Sequence, residues 1–308
     1  MTGSLDAALH PRMLEPLLRS AFTEDLGQAG DLTTEATIGA DQQASATIAV
    51  RSDGVVAGLA VAQAAFSFYD PSLRYAALVH DGDRVSAGSP LATVEGRARS
   101  LLTAERTALN LLGRLSGVTT ATASMVDLVA GTGAKIVCTR KTTPGLRALE
   151  KYAVRIGGGS NHRFGLYDAV LIKDNHLAQF AQPDEPAGAA AARAVRQARE
   201  FLRQFAAVES LPSGGIVEIE VDSLEQLAAV LPERPEIVLL DNMSLEQLRR
   251  GVAMRNATAP DVELEASGGV NLETVRGIAE TGVDRISVGG ITHAAKSLDV
   301  GLDWHTGA

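Results

Sequence analysis

Hydrophobic and polar positions divide the chain into a mixed first third and a regularly alternating remainder. Residues 11–21 carry apolar side chains at the spacing of an amphipathic helix, and residues 44–50 alternate as a strand does. Residues 25–36 are polar and typical of turns. Residues 100–129 have helical spacing, and Gly113 and Gly117 predict one or two helices broken between them. This part of the chain is therefore predicted to be a small α+β unit that ends near Ser116.

Residues 78–96 repeat short apolar strands around Gly82, Gly88 and Gly96. The spacing is similar to that of the hammerhead β-sandwich of biotinyl and lipoyl carrier domains. Those domains present a modifiable lysine on a hairpin, whereas the first lysine of this chain is Lys135. We therefore expect a structural relative of these domains with no carrier role.

Beyond residue 116, candidate strands alternate with amphipathic helical segments. The strands are predicted at residues 135–139, 169–173, 217–221, 237–241, 263–267 and 285–289. Ser223, Ser244 and Asn271 lie at predicted helix N-caps, each followed by a glutamate. Repeated strand–helix alternation predicts a parallel sheet. A doubly wound sheet and an α/β barrel both fit this pattern.

Composition restricts the possible classes of function. At 308 residues the chain is long enough for about two domains of ~150 residues each. Its single cysteine, Cys138, excludes a disulfide framework and a cysteine-based zinc site. An aromatic fraction of 4% argues against a stacking platform for single-stranded nucleic acid, and a net charge of −9 disfavours binding to a phosphate backbone. Nucleic acid is therefore not an expected partner.

The sequence shows neither a membrane-spanning run nor the pattern of a secretory signal. The best apolar run, residues 55–66, is too short to span a bilayer. The N-terminus has no basic region leading into an apolar core, so it does not have the pattern of a secretory signal. We expect a cytoplasmic protein without a membrane partner.

Positive charge is concentrated in one part of this acidic chain. Residues 135–176 contain eight lysines and arginines against three acidic residues, a net charge of +5, together with His162 and His176. A basic segment within an acidic protein predicts a pocket for a small polyanion. The alternative is a solvated face on which basic residues happen to cluster.

The C-terminal ends of the predicted strands carry most of the candidate chemistry, with almost no charge inside the strands. The strand-end residues are Thr139, Arg140, Lys141, Lys173, Asp174, Glu220, Asp241, Ser267, Gly268, Gly269, Val288, Gly289 and Gly290. In α/β barrels this edge holds the active site. Burial of a charge inside the barrel would be costly unless the charge were paired. We therefore interpret these residues as a functional ring.

Three sets of residues, two of them in this ring and one only partly in it, suggest specific ligands. The glycine turns at 267–269 and 288–290 would let a phosphate approach backbone N–H groups, although glycines also serve tight turns. Glu220 and Asp241 could hold Mg²⁺ or bind ribose hydroxyls, and the alternative is a salt bridge to Lys141 or Lys173.

The third set consists of cationic and imidazole groups. Its members are Arg106, Arg140, His162, Arg163 and Lys173, which suit carboxylates or phosphates. A structural histidine is the alternative for His162. No nucleophile with a partnered base is apparent, since Cys138 lies in an apolar strand and the serines lack a triad context. The inventory favours a group transfer catalysed by positioning and electrostatics.

Several motifs, in the same order, resemble those of the quinolinate phosphoribosyltransferases, also called nicotinate-nucleotide pyrophosphorylases (carboxylating). They include EDLGQAGDLTTEATI at 24–38, ERTALNLLGRLSGVTT at 105–120 and EIEVDSLEQ at 218–226. LLDNMS at 239–244, EASGGVN at 265–271 and ISVGG at 286–290 follow. The most specific is the run TRKTTPGLR, GGGSNHR and KDNH within residues 138–176. The resemblance covers residues 10–304.

This resemblance implies a fold and a reaction. The implied fold is α/β, with an N-terminal α/β sandwich over residues 1–115, joined by the C-terminal tail 294–308, and an incomplete α/β barrel over residues 116–293. The implied reaction converts quinolinate and phosphoribosyl pyrophosphate into nicotinate mononucleotide, pyrophosphate and CO₂, a step of NAD biosynthesis. The implied cofactor is Mg²⁺.

The resemblance also implies roles for individual residues. Those around the dicarboxylate are Arg106, Thr139, Arg140, His162, Arg163 and Lys173. The catalytic residues are Lys141, Glu220 and Asp241, which face phosphoribosyl pyrophosphate, with Glu220 and Asp241 also holding the metal. The 5-phosphate lies against Ser267 to Gly269 and Val288 to Gly290. Arg106 would reach the barrel of a neighbouring subunit, which implies a homodimer, or a multiple of one, with shared sites.

One departure from the motifs and three competing hypotheses accompany this interpretation. The segment 180–193 is longer and richer in alanine than the resemblance leads us to expect. No helix is therefore assigned to it from the motifs. A related phosphoribosyltransferase could act on another aromatic acid, as does the homologue found in molybdate-transport operons. The chain could also be a Schiff-base aldolase that uses Lys173, or a non-catalytic carrier or binding module.

Overall fold

The computed structural model describes residues 10–206 and 215–305. Residues 1–9 of the N-terminal segment and residues 306–308 of the predicted tail lie outside these ranges. The eleven helices of the described chain are α1 (Pro11–Leu26), α2 (Leu32–Thr37), α3 (Leu59–Tyr69), α4 (Ala98–Val129), α5 (Arg147–Ile156), α6 (Asp174–Phe180), α7 (Ala187–Ala206), α8 (Leu224–Val230), α9 (Leu245–Thr258), α10 (Val275–Ala279) and α11 (Gly290–His293). In this part of the chain, no helix is both long and apolar enough to cross a membrane.

Twelve strands accompany these helices in the described residues. They are β1 (Gln43–Val50), β2 (Gly54–Val55), β3 (Arg74–Ala77), β4 (Arg84–Val85), β5 (Pro90–Arg97), β6 (Lys135–Val137), β7 (Val170–Ile172), β8 (Val217–Val221), β9 (Ile237–Asp241), β10 (Glu263–Ser267), β11 (Arg285–Ser287) and β12 (Val300–Trp304). The chain divides into two compact units. The first contains residues 10–123, 142–158 and 291–305, and the second contains residues 124–141, 159–206 and 215–290.

The first unit is built on an antiparallel sheet with strand order β12-β1-β5-β3 and a separate β2-β4 pair. Strand β1 turns Ala46, Ile48 and Val50 fully inward, as its alternating pattern predicts. The C-terminal strand β12 pairs with β1 from Ala46 opposite Trp304 to Val50 opposite Val300. The end of the chain is therefore part of the N-terminal sheet.

Helix α4 is continuous over 32 residues, so the predicted break near Gly113 and Gly117 is wrong. Both glycines permit close packing against the returning C-terminal segment. A Cβ atom on Gly113 would lie 2.7 Å from the Leu298 carbonyl oxygen, and one on Gly117 would lie 2.1 Å from that of Lys296. The Leu298 N–H also donates to the Gly113 carbonyl at 2.9 Å. These glycines are required for contact with residues 296–298.

The polar segment 25–36 is also more helical than predicted. Helix α1 continues to Leu26, and α2 begins at Leu32 because Asp31 accepts a hydrogen bond from the Thr34 N–H at 2.9 Å. Aspartate is a favourable N-cap, so the polar residues that suggested a turn instead begin a helix.

The second unit contains a six-stranded parallel sheet with strand order β6-β11-β10-β9-β8-β7. All six predicted strands are present. Strands β7 to β11 lie side by side in the order of the chain, and β11 also pairs with β6. A doubly wound sheet would instead reverse its order near the middle. This cyclic order, with no β6–β7 pair in the described residues, confirms the incomplete α/β barrel.

The gap between β6 and β7 is bordered by a glycine-rich segment. The Ser160 N–H donates to the Ile136 carbonyl at 2.8 Å, and the Cys138 N–H donates to the Ser160 carbonyl at 3.0 Å. Lys135 and Val137 bond to the β11 side through Asp284 and Val288. Because alternate residues of a strand bond to opposite sides, Ser160 lies along the free edge of β6.

Four short segments show how local sequence positions the barrel helices. Ser223 and Ser244 cap α8 and α9 as predicted, and Ser244 forms a capping box with Gln247. Asn271 instead caps a turn, because its side chain accepts from the N–H groups of Glu273 and Thr274 before α10 begins. The alanine-rich residues 187–193 form the start of α7, which packs against α8.

Candidate active site

The predicted strand-end residues of the second unit lie along one edge of its parallel sheet. Glu220 is the penultimate residue of β8, and Asp241 and Ser267 are the last residues of β9 and β10. Ser267 pairs in register with Asp241, and Glu220 with Leu239. Thr139, Arg140 and Lys141 follow β6, Lys173 follows β7, and Val288, Gly289 and Gly290 follow β11. The carboxyl ends of parallel strands share an edge, so this arrangement places the ring where barrel active sites form.

The basic segment 135–176 is divided between the two units. Arg147, Lys151 and Arg155 belong to α5 in the first unit, where Lys151 is buried. Arg106 also belongs to the first unit, and its side chain is 62% exposed. The described second unit therefore holds every predicted site residue except Arg106.

Glu220 and Asp241 line a cavity of about 280 Å³ together with Asp174 and Asp222. Glu220 forms an ion pair with Lys173, and Asp241 accepts a hydrogen bond from the Asn242 side chain at 2.7 Å. The salt bridge considered as an alternative is thus present for Glu220. Carboxylate oxygens are the ligands that Mg²⁺ prefers, but no three of these four carboxylates lie close enough together in the described chain to share one ion.

The turn after β10 requires glycine. Gly268 and Gly269 have φ angles of +94° and +62°, and a Cβ atom on Gly268 would lie 2.0 Å from the Asn242 side-chain oxygen. The turn after β11 differs, since the described glycines with positive φ do not include Gly289 or Gly290. A Cβ atom on Gly290 would meet no atom within 4 Å. Tight-turn geometry therefore explains Gly268 and Gly269. It does not explain Gly290, which has open space beside it.

Arg163 is held beside another cation. Its Nη1 donates to the Ala169 carbonyl at 3.1 Å, while its Nε is buried with no hydrogen-bond partner among the described residues. Burial lowers the pKa of Arg163, and the charge of Arg140 lowers it further. The Nε of Arg140 is likewise buried with no hydrogen-bond partner among the described residues. Two neighbouring guanidinium groups in this condition would be stabilised by an anion.

His162 points into a buried cluster of charges. Its side chain is 8% exposed, and its Nε2 lies 2.7 Å from Glu218 Oε2 and 3.9 Å from Glu265 Oε1. Arg285 Nε donates to the other oxygen of Glu265 at 2.7 Å. Burial and the charge of Glu218 raise the pKa of Glu265, although His162 and Arg285 oppose that rise.

The sequence analysis missed Glu218, Glu265 and Arg285, and its expectation of almost no charge inside the strands is wrong. The available signal was the alternation of VEIEV and ELEAS, which places Glu218 on the same face as Glu220 and Glu265 on the same face as Ser267. His162, Glu218 and Glu265 are close enough to share a metal ion. The contact of His162 with Glu218 and the ion pair of Arg285 with Glu265 already occupy one oxygen of each carboxylate.

Comparison with known proteins places the chain in a family. The family description for the N-terminal domain of quinolinate phosphoribosyl transferase matches residues 31–116, and that for its C-terminal domain matches residues 118–303. The chain belongs to the quinolinate phosphoribosyltransferase family. The resemblance inferred from its motifs is confirmed.

Individual family members match over nearly their whole length. The nicotinate-nucleotide pyrophosphorylase (carboxylating) of Mycobacterium leprae is 48% identical, over 93% of this chain and 95% of that protein. A probable enzyme of the same name from Bacillus subtilis is 39% identical, over 94% and 93%. The structure of the nicotinate-nucleotide pyrophosphorylase from Francisella tularensis has a TM-score of 0.85 at 34% identity, covering 99% of this chain and 100% of that one. This quinolinate phosphoribosyltransferase fold agrees with the predicted sandwich and incomplete barrel.

Proposed function

We propose that this chain transfers the phosphoribosyl group of phosphoribosyl pyrophosphate to quinolinate, with loss of CO₂, to give nicotinate mononucleotide and pyrophosphate for NAD biosynthesis. The observation that supports this most strongly is the edge of the parallel sheet. One group of residues at this edge carries the cations that would bind a dicarboxylate, and another carries the carboxylates that would bind the metal of a pyrophosphate complex. The two groups meet at the ion pair between Lys173 and Glu220. The family relatives are named for this reaction.

The acid-binding side of the site rests on cations. The positive charges of Arg140 and Arg163 repel each other in the free protein, and a substrate carboxylate would relieve that repulsion. It would also accept a hydrogen bond from Arg163 Nε, which otherwise has no partner among the described residues. Thr139, His162 and Lys173 complete the predicted set. Five cationic or imidazole groups, counting Arg106, favour a dicarboxylate over a monocarboxylate.

The phosphoribosyl side of the site rests on carboxylates, one lysine and glycine turns. Glu220 and Asp241 would hold Mg²⁺, because they line one small cavity with two further carboxylates. When bound, the metal neutralises charge that develops on the departing pyrophosphate. Lys141 would orient the phosphate groups. The turns at Ser267 to Gly269 and Val288 to Gly290 would accept the 5-phosphate through their backbone N–H groups.

The chemistry requires no covalent bond to the protein. Departure of pyrophosphate leaves an oxocarbenium-like ribosyl centre, and the pyridine nitrogen of quinolinate attacks it. When the 2-carboxylate then leaves as CO₂, its bonding electron pair stays on C2, where the positive ring nitrogen stabilises it. C2 takes up a proton from water, which gives nicotinate mononucleotide. The residues of the site bind and orient both substrates, which converts a bimolecular encounter into a reaction between fixed neighbours.

Assembly is the remaining part of the proposal. We infer a homodimer, or a multiple of dimers, in which Arg106 of one copy completes the barrel site of the other. Two features support this inference: Arg106 is well exposed, and the second unit has an apolar cavity of about 840 Å³ whose lining includes the exposed Leu166, Tyr167 and Phe201. Contiguous exposed apolar surface is typical of protein interfaces. A cytoplasmic location is part of the same proposal.

The activity can be tested directly. The full chain is incubated with phosphoribosyl pyrophosphate, MgCl₂ and quinolinate labelled with ¹³C in its 2-carboxylate, and the products are identified by mass spectrometry. We expect nicotinate mononucleotide, pyrophosphate and labelled CO₂ in equal amounts. Parallel reactions use nicotinate or another aromatic acid. Faster turnover of one of these acids than of quinolinate would assign the chain to the related phosphoribosyltransferases.

A further inference from the structure

The barrel sheet carries a group of ionisable side chains within its strands, below the strand-end ring. Glu218 lies on β8, Glu265 on β10 and Arg285 on β11, where Glu265 and Arg285 are paired in register. Glu218 and Glu265 are almost fully buried, with 2% and 0% of their surfaces exposed. The proposed reaction does not use any of the three.

This group converges on one imidazole ring. His162 Nε2 lies 2.7 Å from Glu218 Oε2, while Arg285 fixes Glu265 through a 2.7 Å hydrogen bond. The second oxygens of Glu218 and Glu265 are buried without a hydrogen-bond partner among the described residues. Among the described residues, His162 is the close neighbour of Glu218 Oε2, so each of these two side chains can hold the other in place.

Stability alone is a poor reason for this arrangement. Desolvation of buried ions often costs more than their attraction returns, and apolar replacements of similar volume are frequently as stable. Unsatisfied carboxylate oxygens add to the cost. What such a cluster does provide is a fixed geometry for the groups that it contacts.

The geometry in question is that of segment 159–163. Ser160 bonds to β6 through its backbone, and Arg163 donates to the Ala169 carbonyl, just before β7. His162 lies between these two attachments, and its side chain reaches Glu218 on β8. The segment is thus attached at both borders of the gap in the barrel and, through His162, to the interior of the barrel.

We propose that Glu218 is a positioning residue for the acid-binding site: it holds His162 through Nε2 and thereby fixes segment 159–163, including Arg163, across the gap between β6 and β7. The role of Arg163 toward the acid rests on the proposed function, whereas the anchoring of His162 does not. Loss of Glu218 should weaken binding of quinolinate and leave binding of phosphoribosyl pyrophosphate almost unchanged.

The variants Glu218→Gln and Glu218→Ala test this proposal against the control Glu263→Gln. The glutamine variant keeps the size of the side chain and an acceptor oxygen, whereas the alanine variant removes both. Glu263 lies on β10 with Glu265 and approaches Arg285 at 3.3 Å, so its variant perturbs the same charged region without contacting His162. Steady-state kinetics with each substrate varied in turn give separate KM values, and thermal unfolding reports folding.

We expect KM for quinolinate to rise about tenfold in Glu218→Ala and by a smaller factor in Glu218→Gln, with KM for phosphoribosyl pyrophosphate within about twofold of wild type. Glu263→Gln should behave as wild type. A merely structural role would lower the unfolding temperature and kcat while leaving both KM values alike. Unchanged KM for quinolinate in folded Glu218→Gln and Glu218→Ala, or an equal rise for both substrates, would overturn the proposal.

A spectroscopic measurement separates this proposal from the activity itself. ¹⁵N NMR of histidine-labelled protein reports the protonation and hydrogen bonding of the two ring nitrogens of His162. We expect the Nε2 resonance of a protonated, hydrogen-bonded nitrogen in wild type and Glu263→Gln, and a shifted resonance in Glu218→Ala. An identical spectrum in all three would refute the anchor. A wild-type protein that makes no nicotinate mononucleotide would refute the proposed function and leave this result intact.

Discussion

Lys173 and Glu220 form an ion pair between the ends of the neighbouring strands β7 and β8. The lysine belongs to the set proposed for the acid substrate, and the glutamate belongs to the set proposed for the metal. Each charge therefore compensates the other before a ligand binds, which reduces the cost of holding both at one edge of the sheet. The two halves of the proposed site adjoin at this pair.

The metal requirement provides the first prediction. Because Glu220 and Asp241 line the same cavity, excess EDTA should abolish turnover without unfolding the protein, and Asp241→Asn should slow turnover at saturating quinolinate. The matched control is Asp261→Asn, which alters an exposed carboxylate paired with Arg234 before β10 begins. Initial rates and circular dichroism check both results. Full activity in EDTA would remove the metal from the reaction.

The acid pocket provides the second prediction. Truncation of Arg140 or Arg163 to alanine removes a charge-assisted contact worth ~1.5–3 kcal/mol, so affinity for quinolinate should fall at least about tenfold. Affinity for phosphoribosyl pyrophosphate should change less. The control Arg203→Ala removes an arginine of α7 that pairs with Glu200 on the surface. Calorimetry that found equal losses for both substrates would contradict the assignment of these arginines.

Local pattern was sufficient to predict the parallel strands, but it did not distinguish a barrel from a doubly wound sheet. The strands β8, β9 and β10 match their predicted bounds because β9 is a short apolar run and the other two alternate apolar and polar residues, each between turns. Strand order could not be read from such runs, since it depends on pairing between segments far apart in sequence. The motifs of the family supplied that information. Similarly, no local signal showed that α5 packs with the first unit although it follows β6.

The errors at the site have a common physical origin. Charges at strand ends were expected to be the functional ones because burial inside a barrel is costly. Glu218 and Glu265 escape that cost in part through His162 and Arg285, which lie far from them in sequence. Compensation of this kind appears only when the partners are seen together. Alternation in VEIEV nevertheless indicated that Glu218 faces the same side as Glu220.

The third prediction concerns the glycines of α4. Gly117→Ala should gain up to ~1 kcal/mol in helix propensity but lose ~1–3 kcal/mol through overpacking, because the new Cβ would lie 2.1 Å from the Lys296 carbonyl oxygen. We therefore expect a net loss of stability in urea unfolding. Gly133→Ala is the control, since a Cβ atom there meets nothing within 4 Å. If Gly117→Ala were more stable than wild type, close packing against Lys296 would not be the reason for a glycine at this position.

The fourth prediction concerns the connection between α6 and α7, residues 181–186. A hydrogen bond from Arg193 lowers the pKa of Glu185 from its ordinary 4.5 to about 2. The same guanidinium lies 4.0 Å from the centre of the Phe180 ring. Arg193 therefore links Glu185, in the connection, to Phe180, at the end of α6. A depressed pKa contributes stability that is complete above about pH 4.5 and is lost as the pH falls toward about 2.

Comparison of Glu185→Gln with wild type isolates this contribution. The variant should be less stable near neutral pH, and the difference in unfolding free energy should shrink as the pH falls from about 4.5 to about 2. Denaturant unfolding at a series of pH values measures it. A difference that stayed constant over this range would show that the Glu185 charge contributes nothing.

The fifth prediction concerns shared active sites. Arg106 belongs to the first unit, whereas Lys141 belongs to the second. If sites are completed in trans, a mixed dimer of Arg106→Ala and Lys141→Ala chains contains one intact site. The Arg106→Ala chain supplies an intact barrel, and its partner supplies an intact Arg106. The other site of that dimer carries both substitutions.

Random assortment at equal concentrations makes half of the dimers mixed, and each mixed dimer has one working site of two. Recovered activity should therefore approach about a quarter of wild type in a closed two-fold dimer. The measurement compares the two variants assayed separately with the same variants after mixing and subunit exchange. If Arg106 instead served its own barrel, every site in every dimer would keep one substitution. The mixture would then show no more than the average activity of the two variants, and the model of shared sites would have to be abandoned.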